Sequence, residues 1–556
     1  MALQPDPPTP PESTPAAPSD ANSALPISEV YLHGLPQSPS LDSPVPVSPP
    51  ISDPPSAPVT PIQSDNLSGV EASAAITPAP SPTSDSEEPL STGSQLRRLI
   101  ESILVCFLML LFLRTILVEP SGVPTGSMAP TLLGNHFEWD CPDCHMRHAV
   151  GVTTLSTDAE DLQALFADHQ CPHCGASLQD VTAASVKGDR VLVNKSVYQF
   201  RDPKRWEAAV FRPRDDARSF VKRVIGLPGE SVQLIDGDAW INGAIARKSL
   251  KQLRETAILL HDSRQAPADG WEPWWVVEAD HADATPHAAL DRKWGLLLDA
   301  RGKATQEVSA TWRNWNPQFQ FEQPLRDQLV YNWLSVSPRS SVGKSSVHDF
   351  LVTLDVTVIG GSGAFEVALF DGVDWVRVSV PLGTLEGELR VDRNESVPLH
   401  REPMAGWQPN ERHSLTLAFA DRRVMLELDE REAILPIDLP PARERPPVSR
   451  PLQLRVERGA VMIPNLRLER DLHLLARGTH AGTTALELDS ESYFMLGDNA
   501  ANSDDSRFWK NPGVPRTNFL GKPFLLHQPS RGAKPGLTTA GQFESTFDWS
   551  RVRWLR

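Results

Sequence analysis

From Leu99 to Val118 the chain reads LIESILVCFLMLLFLRTILV, and a chain cannot leave twenty such residues in water without a partner. At 1.5 Å per residue the run matches a hydrocarbon core of about 30 Å. Its uninterrupted part is Ile103 to Leu113, with Glu101 near one end and Arg114 near the other. It starts too far from Met1 to be a cleaved secretory signal, so the sequence predicts a transmembrane anchor over residues 96–119. A buried core helix is the competing reading. Arg97 and Arg98 precede the run, and Glu119 and Pro120 follow it. By the positive-inside tendency the N-terminus is expected in the cytoplasm, with the rest of the chain beyond the lipid bilayer.

The segment before the run is of another kind. Residues 1–95 hold about 22 of the 52 prolines and about 11 acidic residues, and carry no Lys or Arg. So little apolar surface cannot offset the entropy of ordering, and a disordered tail is expected. The formal net charge of the whole chain, −17, argues against a nucleic-acid partner, which would need a basic face. At 556 residues the chain is long enough for several domains.

Directly after the apolar run stands EPSGVPTGSMAPTLLGN, with Ser127 between a glycine and a methionine. A serine hydroxyl is a weak nucleophile until a base takes its proton, and no G-x-S-x-G elbow surrounds this one. Further pieces follow: GDRVLVNK, then FVKRVIGLPGE, and much later GDNAANSDDSR. In this order, with SGVPTGSMAPTL before them, they resemble the bacterial type I signal peptidases, membrane-bound Ser/Lys proteases. The resemblance covers about 150 residues.

The resemblance implies Ser127 as nucleophile and Lys222 as its general base. Lys222 lies among Phe220, Val221, Val224 and Ile225, an apolar setting that disfavours the ammonium form and lowers its pKa. It further implies that Thr125 and the Ser127 N–H bind the oxyanion, and that Ser503 orients the amine. Asp505 and Arg507 match a structural ion pair; Gly497, Asp498 and Asn499 match the supporting turn. Met128 matches a residue flanking the substrate groove. The expected substrates are exported preproteins, cut after small residues at −1 and −3, with no cofactor for catalysis. The implied place is the bacterial inner membrane, single-pass, catalytic part outside. One departure stands out: Ala500 follows GDN where relatives commonly carry Arg.

Two stretches interrupt the resemblance. Cys141, Cys144, Cys171 and Cys174 form C-x2-C-x26-C-x2-C, which suits tetrahedral Zn²⁺ and resembles a zinc ribbon. Two disulfides are the other reading. His145, His148, His169 and His173 lie near enough in sequence to substitute as ligands, and Cys106 falls inside the apolar run. The second stretch alternates with period two through FLVTLDVTVI, FEVALF, WVRVSV, GELRVD, HSLTLAFADRRVMLELDE and LQLRVERG. That pattern predicts an antiparallel sandwich, and WQPNERHSLTLAFADRRVMLELDE resembles the paired strands of laminin-G or concanavalin-like jelly rolls. Trp271, Trp274, Trp275, Trp294, Trp312, Trp315 and Trp333 gather ahead of it, as core or as sugar-stacking rings.

The expected fold is mainly β: a signal-peptidase-like all-β catalytic domain behind one transmembrane helix, with an inserted zinc-ribbon-like module and an inserted antiparallel β-sandwich. The expected bounds are 1–95 tail, 96–119 anchor, 120–135, 187–248 and 487–535 catalytic domain, 136–186 ribbon, 249–486 insertion with the sandwich at about 340–475, and 536–556 C-terminal tail. A catalytically inactive paralogue that binds through its sandwich is the first rival reading. A self-cleaving Ser/Lys regulator is the second.

Overall fold

The computed structural model describes residues 92–112, 114, 117–151, 170–179, 183–214, 216–279, 288–291, 295–302, 306–317, 320–333, 343–528, 530–532 and 545–555. The chain divides into two units at Glu88/Pro89, and all described residues belong to the second. Residues 1–91 of the expected disordered tail, His169 and Trp294 lie outside the described residues, and residues 92–95 of that tail begin a helix.

The expected anchor is corrected. An α-helix spans Thr92–Phe112, but no described helix is long and apolar enough to cross a membrane. The reason lies in where the helix starts and stops. Its first half, TGSQLRRLIE, brings in Arg97, Arg98 and Glu101, and Arg97 bonds Glu101 at 2.8 Å. Its clean apolar part, Ile103 to Phe112, extends about 15 Å at 1.5 Å per residue, half of a bilayer core. By Val118 the backbone is already a strand, Val118–Gly122, paired with Arg190–Asn194. The transmembrane part of the expected fold class and the single-pass inner-membrane location are corrected by the same observation.

The rest is mainly β. Among the described residues one sheet runs in the order Val118–Gly122, Arg190–Asn194, Phe519–Gln528, Ala208–Phe211, Phe220–Gly226, Ser492–Leu496 and Gly513–Pro515, all antiparallel. Arg553–Trp554 adds to Phe519–Gln528, so the end of the chain also joins this sheet. Beside it the hairpin Ser231–Ile235 and Asp238–Ile241 shares an apolar core with the sheet: Trp206, Ile225, Val232, Leu234, Phe494 and Leu496.

The large insertion forms a separate sheet system. Its spine is two long antiparallel strands, Phe350–Phe370 and Leu452–Arg470, whose register shifts three times, between Asp355 and Thr357, Val358 and Gly360, and Gly361 and Ala364. Bulges of this kind bend a strand. That is how FLVTLDVTVI and FEVALF, separate runs in the sequence, become one curved strand. Strands before residue 340 also join: Ile258–Asp262, Gly295–Asp299 and Glu307–Trp312 all pair with Leu452–Arg470. Trp271, Trp274, Trp275 and Trp312 are buried in the core of this system.

Candidate active site

Strand pairing brings together residues far apart in sequence. Phe220–Gly226 is interior to its sheet, with Ala209 opposite Lys222 on one side and Leu496 opposite Arg223 on the other. The neighbouring strand Ser492–Leu496 therefore delivers Gly497, Asp498 and Asn499 beside Lys222 and Arg223. Ser127 is half-buried in the 3₁₀ turn Gly126–Met128, which packs against the lysine strand and against the 3₁₀ turn Ala500–Asn502.

Lys222 is 2% exposed, and its Nζ donates to Ser503 Oγ at 3.0 Å. Burial pushes its pKa from 10.5 down to about 8; Asp505 pulls it upward and Arg507 pushes it further down. Asp505 shares its charge with Arg507. The guanidinium donates to both carboxylate oxygens at 2.8 Å, and the Gly497 N–H donates to Oδ2 at 3.0 Å. Burial alone would raise the Asp505 carboxyl, but Arg507 outweighs it and holds the group below the ordinary carboxylate value. Arg507 also donates to the carbonyls of Leu475 and Ala500, so the ion pair braces the loop on which Ser503 stands. Arg223 closes a second buried fork on Asp498, at 2.7 and 2.6 Å.

The serine turn is tied to the same loop. The Asn499 N–H donates to the Ser127 carbonyl at 3.1 Å, and Asn499 Nδ2 donates to the Gly126 carbonyl at 2.9 Å. A Cβ at Gly497 would overlap both Ser503 Oγ and the Ser127 carbonyl, so this approach admits only glycine. Thr125 is exposed at the N-cap of the turn. Met128 is 1% exposed and packs among Val123, Leu132, Val191 and Val193, so it supports the turn from beneath. Asn332, in the large insertion, was not foreseen: it pairs with Asn499, and no motif surrounds it in the sequence.

The four cysteines of the first insertion form two equivalent knuckles. In one the His145 N–H bonds the Cys141 carbonyl and the Cys141 N–H bonds the Met146 carbonyl; in the other Gly175 and Ala176 repeat the pattern around Cys171. The residue after each second cysteine has positive φ, 59° at His145 and 77° at Gly175. All four sulfurs lie within 4.8 Å of one another and none is disulfide-bonded. The 3.5 Å and 3.8 Å separations of Cys141–Cys174 and Cys144–Cys171 suit four thiolates at about 2.3 Å from a central ion. His148 Nε2 stands 3.3 Å from the Cys171 sulfur, outside the four-sulfur set, and His173 Nε2 accepts from the Asp262 N–H.

The model of the family "Signal peptidase, peptidase S26" matches residues 173–282 and 463–527. The matched segments are similar to the S26 signal peptidases. They contain Lys222 and the whole Gly497–Arg507 loop, and Ser127 precedes them. A probable signal peptidase I-2 of Synechocystis sp. is 41% identical over 61 residues, 10% of this chain and 28% of that protein. Signal peptidase I of Rickettsia akari is 32% identical over 133 residues, 24% of this chain and 38% of the relative. The chain thus matches about a third of the length of these S26 relatives. Most of the insertion, residues 283–462, lies outside the matched segments. A carbohydrate-binding module, CBM66 from Bacillus subtilis, covers 35% of the chain at 13% identity and a TM-score of 0.22, too low to bear on function.

Proposed function

We propose that this chain is a serine endopeptidase that removes signal peptides from exported preproteins, cutting after small residues at −1 and −3. Lys222 carries the reading: a buried amine, lowered to about 8 and bonded to Ser503, in a strand packed against the serine turn. As the neutral amine it takes the Ser127 proton while Oγ attacks the scissile carbonyl. The resulting ammonium gives that proton to the leaving amine as the acyl-enzyme forms. Water, deprotonated by the same amine, then releases the new C-terminus and restores the serine. The Ser127 N–H and the Thr125 hydroxyl bind the oxyanion, a donor of this kind contributing about 3 to 4 kcal/mol to barrier lowering. Asp505 and Arg507 hold the loop, and Gly497, Asp498 and Asn499 keep the serine and lysine segments together.

The four cysteines hold one structural Zn²⁺ in this reading. Their closed, all-sulfur set leaves no position for a reacting water, so the ion stabilises the fold and takes no part in hydrolysis.

The test is cleavage of a purified preprotein by the wild-type chain, by Ser127→Ala and by Lys222→Ala. Wild type is expected to cut at one site after the small-residue pair, and each variant to lose about 10³-fold or more in rate, as when a member of a nucleophile–base pair is removed. Cleavage at the wild-type rate by either variant would sink the assignment.

A further inference from the structure

We propose that Asn332, on the large insertion, is a positioning residue that holds the serine turn in its reactive placement through a reciprocal amide pair with Asn499. The proposal rests on the role given above to Ser127 and adds a residue from outside the segments that resemble signal peptidases.

The segment Val330–Trp333 touches three parts of the molecule at once. Val330 and Trp333 pack on the cysteine module, where Trp333 stacks on Trp139 with ring centroids 6.2 Å apart. Tyr331 packs against Ala129 and Leu133, just after the serine, and occupies the space a side chain at Gly126 would need. Its hydroxyl donates to the Asn135 carbonyl at 3.1 Å. Asn332 then faces Asn499: Asn332 Nδ2 donates to Asn499 Oδ1 at 2.7 Å, and Asn499 Nδ2 donates to Asn332 Oδ1 at 2.8 Å. Both residues are buried, at 3% and 0% exposure.

The amide hydrogens of Asn499 are thereby fully assigned. An Nδ2 group has two; one goes to Asn332 Oδ1 and the other to the Gly126 carbonyl. A flipped Asn499 would set its oxygen against the Gly126 carbonyl and also lose its match with Asn332. The Gly126 carbonyl decides which way the Asn499 amide points, Asn332 fills the two remaining amide positions and holds it there, and Asn499 joins the serine turn to the lysine loop. Without Asn332, the Asn499 Oδ1 and one N–H lose their partner in a dry site, and the turn loses a fixed anchor.

The experiment uses the full chain with Asn332→Ala and Asn332→Asp, the second keeping the size but presenting an oxygen to Asn499 Oδ1. Cleavage of a preprotein peptide with Ala at −1 and −3 is measured per folded molecule, together with hydrogen exchange of the Asn499 backbone N–H. In both variants kcat is expected to fall about tenfold to a hundredfold, the equivalent of one unsatisfied buried partner. KM and the position of the acidic limb stay at wild-type values, and the Asn499 N–H exchanges faster. A purely structural contribution would lower the melting temperature and the folded fraction while leaving kcat per folded molecule unchanged; that result overturns the proposal. So does unchanged exchange at Asn499. If Asn332→Ala does not fold, Asn332→Asp decides by the same criteria. If the wild-type chain itself cleaves nothing, the protease reading fails, and the exchange measurement still decides whether Asn332 holds the turn.

Discussion

At the scale of the residue, a lysine can serve as a base near neutral pH only if its ammonium is destabilised and no carboxylate restores it. Lys222 meets the first condition by burial; Asp505 pulls its pKa only part of the way back, and Arg507, forked onto that carboxylate, pushes it down again. With its pKa at about 8, the active neutral form grows as pH rises through that value and is lost below it. The expected profile of kcat/KM therefore has an acidic limb near pH 8 and a plateau above, where a histidine base would put the limb near 6.5. A limb at 6.5 would transfer the base role to a histidine. The apolar flanks of Lys222 were legible in FVKRVIG, because alternation and composition report burial. The pairing of Asp505 with Arg507 came from the resemblance alone, since nothing local says which of two acids in SDDSR meets the arginine.

At the scale of the element, the two C-P-x-C knuckles fold as near copies because each must turn its backbone so that two sulfurs face one point. The positive φ at His145 and Gly175 does this, and one of the two positions is the glycine that takes such a φ without strain. Purified protein is expected to carry about one zinc per chain, four thiolates making a complete structural site. Elemental analysis that finds no metal, together with no free thiol among the four cysteines, would establish two disulfides instead. The spacing was readable from sequence; the choice between metal and disulfide was left open there and turns on how far apart the sulfurs are held. The strands were readable too, though their number was not. A bulged strand and two separate strands present the same alternation, and only pairing along Leu452–Arg470 makes Phe350–Phe370 continuous.

At the scale of the whole molecule, the insertion is fastened to the catalytic sheet by buried charge. Lys248 Nζ bonds Asp421 at 2.9 Å and Asp471 at 2.7 Å and lies 4.2 Å from the centre of the Trp206 ring. Arg445 of the insertion reaches Asp236 at 2.8 Å and Asp238 at 3.2 Å on the catalytic hairpin, and Asp349 at 3.2 Å on its own side. Each cluster sets two or three carboxylates on one cation, and burial pushes Asp421 up to about 6 and Asp238 well above its ordinary value. Lys248→Met, which leaves Asp421 and Asp471 facing each other without a cation, is expected to cost about 3 to 5 kcal/mol, read from the denaturant midpoint. An unchanged midpoint would mean that these ion pairs add nothing to the attachment.

By itself the sequence determined the β character, the order of the segments that resemble signal peptidases and the cysteine spacing, and it singled out Ser127 and Lys222 as candidates, because each is a local pattern of apolar period or motif. Tertiary structure decided the rest. The apolar run looked long enough to span a bilayer when counted as residues. Among the described residues its helix starts at Thr92, spends its first half on TGSQLRRLIE and keeps a clean apolar part only from Ile103 to Phe112. Met128 next to the serine turns into the core because the turn packs on Val191 and Val193. The pairing of Asn332 with Asn499 joins residues 167 apart, a distance over which neither periodicity nor spacing carries information and only the packing of two sheets can bring side chains together.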